Sequence, residues 1–143
     1  MTTRLFKKIL VATDGSDRNR AAVDEALRLG RECGSEVHAV FVIESSTIES
    51  AVSGGVTGDA LALMQSEAAT ALARVKTKAE GVKLETVILE GKPAAGILDY
   101  AKEQNVDLIV VGTQGKKGIE RLLLGSVAEN IIRSAPCRVL VVK

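Results

Sequence analysis

The chain has 143 residues and a mass of 15.0 kDa, 46% of its residues are hydrophobic, and 19 basic side chains stand against 18 acidic ones. This is the size of one globular domain, spanning residues 1–143, and it carries enough apolar surface for a core, which excludes a wholly disordered chain. The near balance of charge, with one Tyr, two Phe and no Trp, disfavours a dedicated nucleic-acid binder, which needs a positive field and aromatic stacking surfaces.

The sequence predicts no metal site built from side chains. Cys33 and Cys137 lie far apart and His38 is the only histidine, so neither a tetrahedral zinc site nor a disulfide framework is indicated. The longest apolar runs, such as Leu108–Val111 and Val139–Val142, are far shorter than the ~20 residues needed to cross a bilayer. The apolar stretch near the N-terminus is also too short for a signal peptide. We therefore expect a soluble cytoplasmic protein with no membrane association.

The N-terminal part of the chain predicts a strand, a turn and a helix. Lys7–Ala12 is a nearly continuous apolar run rich in β-branched residues, and it ends at the turn sequence Thr13–Ser16. Helical spacing begins at Asp17, and Gly34 is a typical stop for this helix. The apolar stripe of the helix comprises Ala22, Ala26, Leu29 and Cys33.

A second strand and the longest helix follow. Glu36–Ile43 has the β-branched, apolar composition of a strand, and the polar stretch Glu44–Gly58 is predicted to connect it to the helix. The segment Ala60–Glu80 is Ala-rich and amphipathic, which favours a helix with Asp59 as its N-cap and Gly81 at its end.

The remainder of the chain repeats the alternation of strand and helix. Leu84–Leu89 is the predicted third strand, and Pro93 suits the first position of the helix that follows. Leu108–Val111 is a fully apolar fourth strand. After a glycine-rich loop, Ser126 begins the last helix, and Arg138–Val142 is the fifth strand.

This alternation predicts an α/β fold. Strands that alternate with helices and are apolar on both faces indicate a doubly wound, Rossmann-like domain whose five-stranded parallel sheet is covered by helices on both faces. Right-handed crossovers, with a reversal of winding after the third strand, give the order 3-2-1-4-5. Ligands of such sheets bind beyond the carboxyl ends of the strands where the winding reverses. We therefore expect the loops Thr13–Ser16 and Gly112–Gly125, after strands one and four, to face each other.

The loop after the fourth strand has the composition of a phosphate-binding loop. It contains the pattern G-x2-G-x9-G-S, from Gly112 through Gly115 to Gly125 and Ser126, which matches neither the P-loop nor the dinucleotide-binding G-x-G-x-x-G. Glycines let a backbone approach a phosphate closely, successive N–H groups form an anion-binding nest, and a helix N-terminus adds partial positive charge. A plain turn between a strand and a helix needs only ~2–6 residues, so the length of this loop also favours a function.

Each of these residues also has an ordinary structural interpretation. Ser126 and Glu129 match the helix-capping pattern S-x-x-E, which explains both residues without a ligand. Asp14 followed by glycine is a common turn pair. Lys116 and Lys117 are most often solvated surface charges in such a setting.

Four stretches of the sequence resemble the universal stress protein family, in the family's order. They are the start Lys8–Ser16, the turn Gly91–Pro93, the glycine array that ends at Ser126, and the C-terminal stretch Ala135–Val142. The resemblance covers almost the whole chain, and the glycine pattern is typical of the ATP-binding class of the family.

The resemblance implies an ATP site with a part for each portion of the nucleotide. Asp14 would bind the ribose hydroxyls, Val42 would meet the adenine edge through its backbone, and the glycine loop would wrap the ribose and the phosphates. The implied site residues are Ala12, Thr13, Asp14, Val42, Gly112, Thr113, Gln114, Gly115, Lys116, Lys117, Gly118, Gly125, Ser126 and Val127.

The function implied by the resemblance is that of an ATP-binding regulatory protein of the stress response. Mg²⁺ or Mn²⁺ would be bound through the phosphates, and a homodimer would form through the C-terminal strand Arg138–Lys143, which is an edge of the predicted sheet. Two alternatives remain open, a slow ATPase or phosphotransferase and an interaction module without nucleotide. The sequence assigns no catalytic residue, because Glu120 and Glu129 have no partner histidine nearby in the sequence.

Overall fold

A single parallel sheet organises the chain in the computed structural model, which describes residues 5–46, 48–49, 58–113 and 125–143. The strand order is β3-β2-β1-β4-β5, and every pair of neighbouring strands is parallel, which confirms the predicted topology. The strands are β1 (Lys8–Ala12), β2 (Glu36–Glu44), β3 (Lys83–Gly91), β4 (Leu108–Gly112) and β5 (Arg138–Val142). The helices are α1 (Arg20–Cys33), α2 (Gly58–Thr77), α3 (Pro93–Glu103) and α4 (Ser126–Ser134).

The core has two parts, one on each face of the sheet. Alternate residues of a strand point to opposite faces, so Ile9 and Val11 of β1 join the cluster under α1 and α2, whereas Leu10 joins the cluster under α3 and α4. Because each inner strand is covered on both sides, its sequence is continuously apolar. This arrangement leaves the carboxyl ends of β1, β2 and β4 at one edge of the molecule.

The ends of several elements follow local chemistry. Gly34 ends α1 in a left-handed conformation (φ 66°), as predicted, and Pro93 occupies the start of α3, where its missing N–H costs no helical hydrogen bond. Gly30, inside α1, lies so close to β2 that a Cβ atom there would be 2.6 Å from Val37 Cγ2.

Some predicted boundaries were wrong. Asp59 lies inside the first turn of α2 rather than before it, and α2 ends at Thr77, three residues before the predicted end at Glu80. Glu44 belongs to β2, and Ser45, Ser46, Ile48 and Glu49 are helical rather than part of an irregular connection. A 3-10 turn over Asp17–Asn19 precedes α1. None of the helices in the described ranges is long and apolar enough to cross a bilayer.

Candidate functional site

A cavity of about 360 Å³ opens at the carboxyl ends of β1, β2 and β4. Its volume falls in the range of small-molecule sites. It lies where the winding of the sheet reverses, which is the position expected of a ligand site in a doubly wound fold. All predicted site residues that the structure describes line it: Ala12, Thr13, Asp14, Val42, Gly112, Thr113, Gly125, Ser126 and Val127. The predicted residues Gln114, Gly115, Lys116, Lys117 and Gly118 lie outside the described residues.

The turn after β1 holds the Asp14 carboxylate by its own backbone. The N–H and the hydroxyl of Ser16 both donate to Asp14 Oδ1, at 2.9 and 2.6 Å, and Gly15 N–H donates to Thr13 Oγ1 at 3.2 Å. Gly15 adopts φ 78°, which an L side chain would resist, so the turn needs glycine there. Within the described ranges, no group donates to Asp14 Oδ2. The carboxylate is therefore positioned with one oxygen available to a hydrogen-bond donor in the cavity.

The N-terminus of α4 forms another part of the wall. Gly125 is the N-cap residue, and Ser126 is the first residue of the helix. The backbone N–H groups of Ser126, Val127 and Ala128 precede the first helical hydrogen bond, which joins Glu129 N–H to the Gly125 carbonyl at 3.0 Å. All three of these residues line the cavity. Their N–H groups and the helix dipole make this part of the wall favourable for an anion.

The predicted capping box at this helix was wrong. Ser126 lies one position too late to be the N-cap, and no side-chain cap bond is present there. The Glu129 carboxylate instead accepts a hydrogen bond from Arg133 at 2.8 Å. The structural interpretation of the S-x-x-E pattern therefore fails, and Ser126 lines the cavity without a capping role.

Much of the remaining wall is apolar. One side of the wall is formed by three residues that pack on the same face of the sheet: Val42 of β2, Val111 of β4 and Ile97 of α3. Met64 of α2, from the cluster on the other face, also lines the cavity. Such a wall suits a flat apolar group, while Asp14 and the start of α4 supply the polar contacts that would orient it.

Sequence reasoning missed several residues of the wall. Asn19, from the 3-10 turn before α1, is 93% buried, and its Oδ1 has no hydrogen-bond partner among the described residues. Met64 and Glu67 come from α2, and Pro93 comes from the start of α3. Their positions depend on how the helices pack over the end of the sheet. Sequence patterns describe local structure, so they placed Pro93 at a helix start but did not indicate that any of these four residues lines the cavity.

The groups with shifted pKa values lie away from the cavity wall. His38, near the opposite end of β2, contacts Glu36 Oε1 at 2.8 Å and the Tyr100 hydroxyl at 2.6 Å. The hydrogen bond from His38 lowers the pKa of Glu36, and burial raises the pKa of Tyr100. Burial also raises the pKa of the Cys137 thiol. In the described part of the chain, no three His, Cys, Asp or Glu side chains come together as metal ligands would.

Comparison with known proteins gives one consistent family. Residues 5–143 match the model of the universal stress protein family. The chain is 45% identical to universal stress protein MJ0531 of Methanocaldococcus jannaschii over 97% of this chain and 83% of that protein.

Solved structures of the family share the fold. Universal stress protein UspA from Lactobacillus plantarum superimposes with a TM-score of 0.83, at 30% identity, over 99% of this chain and 100% of that one. A universal stress protein from Archaeoglobus fulgidus in complex with dAMP superimposes with a TM-score of 0.68, at 26% identity, over 97% and 99% of the two chains. The sequence match over nearly the whole chain, together with the shared fold, shows that this chain belongs to the universal stress protein family.

Proposed function

We propose that this protein binds an adenine nucleotide, ATP in the first instance, in the cavity at the carboxyl ends of β1, β2 and β4, and that nucleotide occupancy regulates its interactions. The observation that carries the proposal is the composition of one cavity wall. It combines a positioned carboxylate at Asp14, the N–H groups at the start of α4 that make no helical hydrogen bond, and an apolar face that includes Val42.

Each of these parts matches one portion of a nucleotide. The open oxygen of Asp14 can accept from a ribose hydroxyl, because an ionised carboxylate only accepts. The N–H groups of Ser126, Val127 and Ala128 can donate to phosphate oxygens, and the dipole of α4 is worth about 0.3–2 kcal/mol toward an anion. The apolar face can pack against the base. The dAMP complex of the neighbour from Archaeoglobus fulgidus supports a nucleotide as the ligand class.

The phosphate tail would continue along the predicted loop. Thr113 and Gly125, which flank residues 114–124, both line the cavity, so the loop starts and ends at the proposed phosphate position. Lys116 and Lys117 would add positive charge there. The described residues fit a nucleotide, but they offer no cluster of metal ligands, so Mg²⁺ or Mn²⁺ would be bound through the phosphates themselves.

A charge placed at the start of α4 tests this proposal. Ser126→Asp puts a carboxylate where phosphate would bind, so ATP affinity measured by calorimetry should fall at least about tenfold. The helix dipole favours an acidic residue at this position, so the variant should fold at least as stably as the wild type. Asn130→Asp adds the same charge to the exposed part of α4, outside the cavity wall, and should leave affinity nearly unchanged. Undiminished ATP binding by Ser126→Asp would contradict the proposal.

The same samples separate binding from turnover. Wild-type protein that binds ATP and releases no ADP over several hours is a binding module, as we propose. Steady release of ADP that is lost in Ser126→Asp would instead identify a slow ATPase that uses the same cavity.

We also propose a homodimer through β5. This strand is an edge of the sheet, and its apolar residues from Val139 to Val142 are only partly buried. Pairing with a second copy would cover these residues and the backbone groups of the edge. A sedimentation mass of twice the 15.0 kDa chain mass is expected, and a monomer at micromolar concentration would contradict the proposal.

A further inference from the structure

Asn19 has the properties of a ligand-binding residue, although no pattern in the sequence marks it. It occupies the N-cap position of α1, where an asparagine ordinarily bonds to the helix backbone, but its side chain makes no cap hydrogen bond. The residue is 7% exposed and lines the cavity, and within the described part of the chain its Oδ1 has no hydrogen-bond partner. A buried polar atom without a partner is rare in native proteins and calls for an explanation.

Asn19 is linked to Asp14 through hydrogen bonds to Ser16. Its N–H donates to the Ser16 carbonyl at 3.2 Å, and Ser16 in turn donates twice to Asp14 Oδ1. One compact turn therefore carries both residues, and both line the same cavity. Because the two residues are only five positions apart and line one cavity, a single bound ligand can contact both.

The chemistry of the two side chains selects the ligand group. The Asp14 carboxylate accepts hydrogen bonds only. The Asn19 Oδ1 is buried and has no hydrogen-bond partner among the described residues, so the amide gives up no bond to its oxygen when it turns about χ2, and a ligand can meet either its oxygen or its NH₂ group. A hydroxyl both donates and accepts, so it satisfies the carboxylate and also satisfies the amide in either orientation. An amino group or a carbonyl oxygen would suit only one orientation of the amide.

We infer that Asn19 is a specificity-determining residue, which together with Asp14 holds the two adjacent hydroxyls of the ligand's sugar and so favours ribonucleotides over their deoxy forms. This inference rests on the proposed function and adds a residue and a preference to it. Asp14 takes one hydroxyl through its open oxygen, and Asn19 takes the other through its amide.

The test is a thermodynamic cycle with three nucleotides. Wild-type protein and Asn19→Leu are titrated with ATP, 2′-deoxy-ATP and 3′-deoxy-ATP. We expect the wild type to bind each deoxy analogue at least about fivefold more weakly than ATP, which is the size of one neutral hydrogen bond. Asn19→Leu should lower the affinity for ATP by a similar factor. The affinity for the analogue that lacks the hydroxyl held by Asn19 should not change.

Two controls separate this role from a structural one. Leucine removes an oxygen that has no hydrogen-bond partner in the described ranges, so the melting temperature should equal or exceed that of the wild type. Asn130→Leu makes the same change on the exposed part of α4 and should alter none of the three affinities. If leucine is too large for the position, Asn19→Ala removes the same amide and is interpreted in the same way.

The affinities and melting temperatures distinguish failure of this inference from failure of the proposed function. Equal losses for all three nucleotides with a lower melting temperature, or no loss for any of them, would overturn the inference while leaving nucleotide binding in place. Equal affinities of the wild type for ATP and both analogues would also overturn the inference and leave nucleotide binding in place. Wild-type protein that binds none of the three would overturn the proposed function together with the inference.

Discussion

The backbone N–H of Gly125 donates a hydrogen bond to the carbonyl oxygen of Thr113 at 3.1 Å. The N–H of Thr113 in turn donates to the Val142 carbonyl of β5 at 3.1 Å. The residues that flank the segment 114–124 are therefore joined to each other and to the sheet, at the rim of the cavity. This closure brings the first and last glycines of the G-x2-G-x9-G-S pattern to one place.

The position of Ser126 leads to the first prediction. Because Gly125 is the N-cap and the Glu129 carboxylate bonds to Arg133, Ser126→Ala should change the free energy of unfolding by less than about 0.5 kcal/mol in urea titrations, whereas loss of a true cap costs ~1 kcal/mol. Its ATP affinity should fall about tenfold, because hydrogen bonds to charged groups are strong. Ser134→Ala, at the exposed end of α4, should change neither quantity. A clear loss of stability without a loss of affinity would restore the capping interpretation.

A second prediction concerns Asp14. In Asp14→Asn the amide oxygen can still accept from Ser16, so the turn should be retained and the melting temperature should change little. The charge is lost, so the hydrogen bond to a ligand hydroxyl should weaken and ATP affinity should fall about five- to tenfold. Asp17→Asn, on the exposed side of the same turn, is the matched control and should bind ATP like the wild type. Identical affinities for wild type and Asp14→Asn would exclude Asp14 from the site.

The strand order could be predicted because it depends on rules that act on whole elements. Apolar strands such as Leu108–Val111 must be buried on both faces, and right-handed crossovers then leave few topologies. The same rules place three site residues at one edge of the sheet, because each lies at the carboxyl end of a strand or at the start of a helix: Asp14, Gly112 and Ser126. Asn19 could not be placed in this way, because a local pattern does not show that a residue of the 3-10 turn before α1 is buried at the cavity wall. The one-position difference between Gly125 and Ser126 as N-cap also depends on local geometry that a four-residue pattern does not contain.

The close approach of α1 to β2 leads to a third prediction. A methyl group at Gly30 would lie 2.6 Å from Val37 Cγ2 and 3.3 Å from Val82 Cγ1, so Gly30→Ala should destabilise the protein by about 1–3 kcal/mol. Gly96, in α3, is the matched control. A methyl group there meets its nearest neighbour, Leu89 Cδ1, at 3.8 Å, so Gly96→Ala should stabilise by about 0.5–1 kcal/mol through helix propensity. The two free energies of unfolding should therefore change with opposite signs in urea titrations, and changes of the same sign would contradict the packing described here.

The last prediction concerns acid stability. Glu36 accepts from His38 Nε2, and this hydrogen bond holds the pKa of Glu36 below its ordinary value of 4.5. A carboxylate with a lowered pKa in the folded state stabilises the protein above its ordinary pKa, and this stabilisation is lost as the pH falls through the folded value. The free energy of unfolding of wild type should therefore exceed that of Glu36→Gln by its full amount above about pH 5.5, and the difference should shrink toward about pH 3. Glu103→Gln, exposed at the end of α3, should show a much smaller change over the same range. A difference between wild type and Glu36→Gln that is independent of pH would mean that the His38 contact does not stabilise the charged form of Glu36.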